Sequence, residues 1–193
     1  MIKVPTRRGF LTQVAGGAVL SAAGIALLGG REALAASNDS NPSGDVAILN
    51  IALALEHEGI AAYQIGAESG LLQKPVLDIA VGFQSQHKAH RDALIAAIER
   101  LGGKPVGPLK EKEYKKSKKL NVASIKSQTD ILRLAQRLEL GAVNAYLGVI
   151  PAFTDHDLAK VAGRLAADET MHYTVLTQAL MDPLPTAALS YGA

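Results

Sequence analysis

Residues 87–103 read HKAHRDALIAAIERLGG. From Leu94 onward this is an ordinary amphipathic helix, with Leu94, Ala97 and Leu101 at alternating steps of three and four and Gly102–Gly103 as its stop. The same steps taken backward place His90 and His87 on that apolar face, with Phe83 and Ala80 beyond them. Two histidines one turn apart on a buried stripe need partners, and the search for those partners leads to three other helices.

Four long helical patterns follow one another with almost no strand signal: about 45–70, 75–101, 129–151 and 154–181. Ser127 or Thr129 can cap the third, and Thr154 with Asp157 has the spacing of a capping box for the fourth. The first and last connections are short turns, so each pair is an antiparallel hairpin. The middle connection, residues 102–128, is long and rich in Gly, Pro and Lys. Its run KEKEYKKSKK interleaves Glu111 and Glu113 with the lysines and holds one aromatic. It reads as a solvated loop rather than a nucleic-acid patch. The fold expected is all-α: an antiparallel four-helix bundle of two hairpins joined by a long crossover.

The interior stripes of the other helices are Leu49, Leu53, Glu56, Ile60, Tyr63 and Ala67; Leu132, Ala135, Glu139, Ala142, Tyr146 and Val149; and Leu158, Ala162, Leu165, Glu169, His172 and Leu176. Each is apolar except near its middle, and none contains a Lys or Arg. A carboxylate buried ionised and alone costs several kcal/mol, so Glu56, Glu139 and Glu169 need protons, cationic side chains or metal ions. The stripes offer His87, His90 and His172, which as neutral imidazoles are ligands for divalent cations. Glu and His together suit iron, manganese or zinc better than calcium or magnesium. Tyr63 and Tyr146 read as core tyrosines bonded to neighbouring glutamates, His57 and His156 as surface residues, and Arg91 and Asp92 as a solvated face.

The halves repeat. LEHEGIAAY (55–63) and LELGAVNAY (138–146) share Leu-Glu, five residues, then Ala-Tyr, and each precedes a helix with a paired motif, His87-x-x-His90 or Glu169-x-x-His172. On these motifs the chain, over residues 46–181, resembles the ferritin-like superfamily of carboxylate-bridged dimetal proteins, and within it the exported bacterial ferritin-like domain proteins. The resemblance implies one or two iron or manganese ions held by Glu56, His87, His90, Glu139, Glu169 and His172, with Glu56 and Glu139 terminal and Glu169 bridging. His87 stands where the family has a second bridging glutamate. An alternative register takes Gln84 and His87 as the degenerate pair, but Gln84 lies off the stripe. The implied chemistry is oxygen or peroxide handling or iron oxidation, with a role in oxidative stress; the alternative is a non-catalytic helical stress or binding domain with a structural metal or none.

Outside the bundle, residues 1–35 read as a cleavable signal: TRRGFLTQ, a Gly/Ala-diluted apolar run, then ALA before a polar segment. The paired arginines resemble a twin-arginine export signal, which implies a periplasmic destination, the twin-arginine export machinery as a partner, and no stable membrane anchor after cleavage. That segment holds Lys3, Arg7, Arg8 and Arg31 against Glu32. Of the chain's 20 basic and 18 acidic side chains, 16 and 17 remain, a formal −1 that gives nucleic acid no support. The chain has no cysteine, which excludes a lipoprotein anchor, thiolate metal sites and cysteine nucleophiles. Residues 36–45 form a polar linker and 182–193 a tail with two prolines and no clear fifth helix, which disfavours a storage cage. A homodimer is an open expectation.

Overall fold

A computed structural model describes residues 42–192; the expected signal, residues 1–35, and the linker as far as residue 41 lie outside the described residues. The described residues contain helices and no strand: α1 (Pro42–Glu68), α2 (Lys74–Arg100), α3 (Glu111–Lys116), α4 (Gln128–Val149) and α5 (His156–Ala179), with 3-10 turns at Val122–Ser124 and Ile150–Ala152. The first helix starts at Pro42, three residues before Asp45. Pro-Ser-Gly has the composition of a turn, yet proline is well tolerated in a first helical turn.

The two hairpins are α1–α2 and α4–α5. Contacts between Glu56 and Tyr146 and between Tyr63 and Glu139 run α1 antiparallel to α4. Phe83 facing His172, and His90 facing Asp168 and Glu169, do the same for α2 and α5. The interior therefore falls into layers. At one end Ile48, Leu53, Leu94, Ile98, Leu158 and Leu165 pack together; toward the other, Tyr63, Phe83, Leu132, Ala135 and Leu176 do. The mid-helix Glu and His residues lie between these apolar layers, with α1, α2, α4 and α5 all contributing.

Gly-Gly ends α2 as its sequence suggests. Gly102 has φ of 74°, a left-handed conformation that glycine takes without steric cost, and the Gly103 N–H donates to the Ile98 carbonyl at 2.9 Å. A Cβ on Gly103 would sit 2.6 Å from a Val46 methyl carbon, so the crossover leaves the bundle pressed against α1. Ser127, one of the two expected caps, accepts the Asp130 N–H at the start of α4.

Two expectations need correction here. The crossover is not simply a solvated loop: α3 buries Tyr114, which joins Leu120, Ala62 and Leu134 in a small cluster over α1 and α4. The lysines and glutamates around it mask one anchoring aromatic. His57 is buried, not on the surface, because the crossover covers it and the ring pairs with the Val106 carbonyl at 3.1 Å. His156 is exposed, as its place off the stripe suggests.

The α5 cap also differs. Asp155, not Thr154, accepts N–H groups at the start of α5, from Asp157 and Leu158. Thr154 is held instead by Asp45 of α1, whose carboxylate accepts the Thr154 N–H at 2.9 Å, its hydroxyl at 2.7 Å and the Asp155 N–H at 3.1 Å. Asp45 is almost fully buried. Asp45→Ala is expected to destabilise the bundle by about 2–3 kcal/mol, because it strands three donors of a charge-assisted site. Urea denaturation checks this, with Asp45→Asn expected to lose less.

Candidate metal centre

Each of the six sequence-identified residues is buried, and the helices bring all six together at mid-bundle. Glu169 is the hub. Its Oε1 accepts from His90 Nδ1 at 3.0 Å and lies 3.6 Å from His87 Nδ1, while its Oε2 accepts from His172 Nδ1 at 3.1 Å. His87 lies opposite, donating from Nδ1 to Glu56 at 2.8 Å and from Nε2 to Glu139 at 3.2 Å. The two tyrosines close the arrangement crosswise: Tyr63 of α1 donates to Glu139 of α4, and Tyr146 of α4 donates to Glu56 of α1. That crossing is the structural counterpart of the Leu-Glu-x5-Ala-Tyr repeat.

Gln84 is buried too, but it faces elsewhere, bonding to the Ile60 carbonyl and Gln64 of α1. The pair of α2 residues that joins the cluster is therefore His87 with His90. Arg91 and Asp92 bond to each other at the surface at 2.7 Å.

Two further residues went unrecognised in the sequence. His90 Nε2 donates to Asp168 at 3.2 Å, and His172 Nε2 donates to Gln86 at 2.6 Å. Each sits immediately before the first residue of a paired motif, Gln86 before His87 and Asp168 before Glu169, and each reaches across to the histidine of the other helix. The shared offset is a signal, but these positions lie off the interior stripe. Buttressing of this kind fixes which ring nitrogen faces inward and raises its basicity. An amide under His172 and a carboxylate under His90 make the two halves unequal.

The electrostatics follow from the bonding. Both nitrogens of His87, His90 and His172 face acceptors. Burial alone lowers a histidine pKa, but the bonds from Glu139 and Glu56 outweigh it at His87 and hold its pKa well above the ordinary value. At His172 burial is likewise outweighed by Glu139 and Glu169, which bring it up to about 9. Among the carboxylates, burial works to raise Glu139, but bonds from His172 and His87 hold it well below the usual range. Burial prevails at Glu169 and pushes it up. The tyrosines are raised well above 10 by burial first and the glutamate charges next, so both remain donors.

A stability prediction follows for the metal-free protein. A histidine whose folded pKa is raised contributes fully below its unfolded value, near 6.5, and loses that contribution as pH passes its folded value. With metal chelated, stability is expected to fall by about 3 kcal/mol between pH 6 and pH 9.5 from His172 alone. Urea unfolding at the two pH values measures it.

The donor set fits a metal. Two quartets, Glu56–His87–His90–Glu169 and His87–Glu139–Glu169–His172, each offer four ligand atoms within 4.8 Å of one another, and they share His87 and Glu169. Among the described residues no lysine or arginine is buried to take the place of a metal charge. Imidazole nitrogens with carboxylate oxygens suit first-row transition ions.

A family model described as Ferritin-like domain matches residues 44–182. The crystal structure of a conserved hypothetical protein, rv2844, from Mycobacterium tuberculosis is similar with a TM-score of 0.63 at 26% identity, covering 76% of this chain and 97% of that one. No curated protein sequence matches the chain.

Proposed function

The chain belongs to the ferritin-like domain family, and from that premise we propose that it is an exported metalloprotein holding one or two iron or manganese ions at the centre of its bundle. The observation that carries this reading is the pair of overlapping quartets with Glu169 and His87 in common. One quartet accommodates one ion, and the shared pair relates it to a second. Glu56 and His90 would hold an ion at the first position and Glu139 and His172 at the second, with Glu169 and His87 available to both.

Iron or manganese held there would supply one-electron chemistry toward dioxygen or peroxide, with oxidative stress as the physiological setting. The chain's own residues set the conditions. Tyr63 and Tyr146 fix the rotamers of Glu139 and Glu56 and keep a hydroxyl proton next to each. The apolar layers on either side keep bulk water from the cluster. The histidines hold protons that a metal must displace, so ion binding strengthens as pH rises. The paired arginines Arg7 and Arg8 support export of the folded protein to the periplasm, with a homodimer as an open assembly.

One observation favours a second reading, a helical domain without redox chemistry. Every buried side-chain polar atom among the described residues has a hydrogen-bond partner, so three imidazoliums and the glutamates satisfy one another without an ion. His87 sharpens the point, since an imidazole bridges closely spaced metals poorly compared with a carboxylate.

Metal content per chain separates the readings. Protein purified after native export is expected to carry one or two equivalents of iron or manganese, lost in a Glu139→Ala, Glu169→Ala double variant. No bound metal, with a double variant as stable as its parent, rules out the metalloprotein.

A further inference from the structure

The two ends of the bundle interior are not packed alike. At the end nearer the α4–α5 connection, the space among Leu49, Leu94, Phe153 and Leu165 is about 10 Å³, no more than a single water needs. Toward the α1–α2 turn a cavity of about 50 Å³ opens, room for a guest of a few heavy atoms. Small residues, Ala80 and Ala135 among them, leave this space between α2 and α4, and Leu132 and Val76 form its walls. Ile79 lines it and is 45% exposed, which puts it at the mouth.

The inner wall belongs to the metal centre. Phe83 lines the cavity and its ring centroid is 4.1 Å from that of His172, while Tyr63 lines it 5.3 Å from His87. Every other lining side chain is a hydrocarbon, and the Tyr63 hydroxyl is already committed to Glu139. Among the described residues, no hydrogen-bonding side-chain group of the lining remains for a guest. Such a cavity stays dry and selects apolar ligands over water.

We propose that this cavity binds the alkyl end of an aliphatic molecule, which enters past Ile79 and comes to rest against Phe83 and Tyr63 beside the metal ligands. The occupancy itself needs only the cavity; the nearness to an ion rests on the metal-centre reading. An open mouth and a wall without polar groups fit a ligand whose polar end stays in solvent and whose hydrocarbon end is buried.

The test is a titration of the methyl-labelled protein with 1-hexanol, followed by NMR with and without Mn²⁺. Saturable shifts are expected at the Val76, Leu132 and Leu176 methyls, with none at Leu53 or Leu158 in the opposite layer. Ala135→Phe is expected to weaken binding by about tenfold or more by filling the space; Ala80→Leu, nearer the mouth, does the same if the first variant does not fold. With Mn²⁺ bound, the terminal methyl of hexanol should relax faster than its CH₂OH. Shifts absent, shifts spread equally over both ends, or unchanged binding in a folded, filled variant would overturn the proposal. So would occupancy by xenon under pressure without any by hexanol, which would assign the cavity to gases. Pocket shifts in a protein that binds no Mn²⁺ would leave the cavity assignment standing and remove the metal centre instead.

Discussion

Glu169→Gln is expected to strip metal from both positions at once. Glu169 is fully buried and belongs to both quartets, one oxygen facing His90 and His87 and the other facing His172. Glutamine keeps the size but offers an amide where one oxygen must bind, and it removes the charge that both positions share. Affinity for Mn²⁺ should fall by at least about 100-fold, the upper end of what loss of even a supporting partner costs. Glu56→Gln and Glu139→Gln each touch a single quartet, so each should lower the capacity by one equivalent in a two-ion protein. In a one-ion protein, one of them should abolish binding and the other leave it nearly intact. Equilibrium dialysis of the three variants against Mn²⁺ reads out the pattern. Circular dichroism confirms that the helices survive.

His87→Glu is expected to have opposite effects in the two states of the protein. Without metal, the His87 ring is the cation shared among Glu56 at 2.8 Å, Glu139 at 3.2 Å and Glu169 at 3.6 Å. Removing it and adding a fourth carboxylate leaves two imidazoles among four acids, at a cost of about 3–5 kcal/mol for breaking a buried pair. With metal, the new carboxylate can lie between the two positions, where an imidazole serves poorly. Ligand-linked stabilisation grows with RT ln(1 + [L]/Kd), so tighter binding widens the gap between metal-loaded and chelated protein. Thermal melts in Mn²⁺ and in chelator should therefore lie further apart in His87→Glu than in the parent. An equal drop in both conditions would mean that His87 serves packing alone.

Much of this centre was legible in the sequence because buried charge is costly. Three glutamates and three histidines on stripes without Lys or Arg leave few ways to satisfy them, and a period of three and four residues brings them to one depth. The halves' repeat then anticipates the crossed bonds of Tyr63 and Tyr146. What escaped the reading depends on long-range contact. His57 lies off the stripe of α1 and is buried only because the crossover runs over it. Tyr114 sits among charges that suggest solvent. Asp45 looks like a linker residue until Thr154, distant in sequence, arrives to donate to it. Gln86 and Asp168 project from helix faces that bring them to the histidines only once α2 and α5 are opposed.

The same reasoning explains why a bundle with so polar a centre holds together. Apolar layers lie on both sides of the cluster, and burying each Leu or Ile side chain contributes about 1.5–3 kcal/mol. The cluster itself adds little net stability, because desolvation offsets most of its Coulomb attraction. What the cluster offers, on the reading proposed above, is a place for metal.

Anomalous diffraction from crystals of the protein soaked in Mn²⁺, recorded on both sides of the manganese edge, tests that claim most directly. The account predicts one or two peaks at mid-bundle, within coordination distance of Glu169 and of histidine nitrogens, and none in Glu169→Gln. No peak there, or peaks only at surface carboxylates such as Asp78 and Asp92, would contradict it and leave a core whose acids and histidines serve one another.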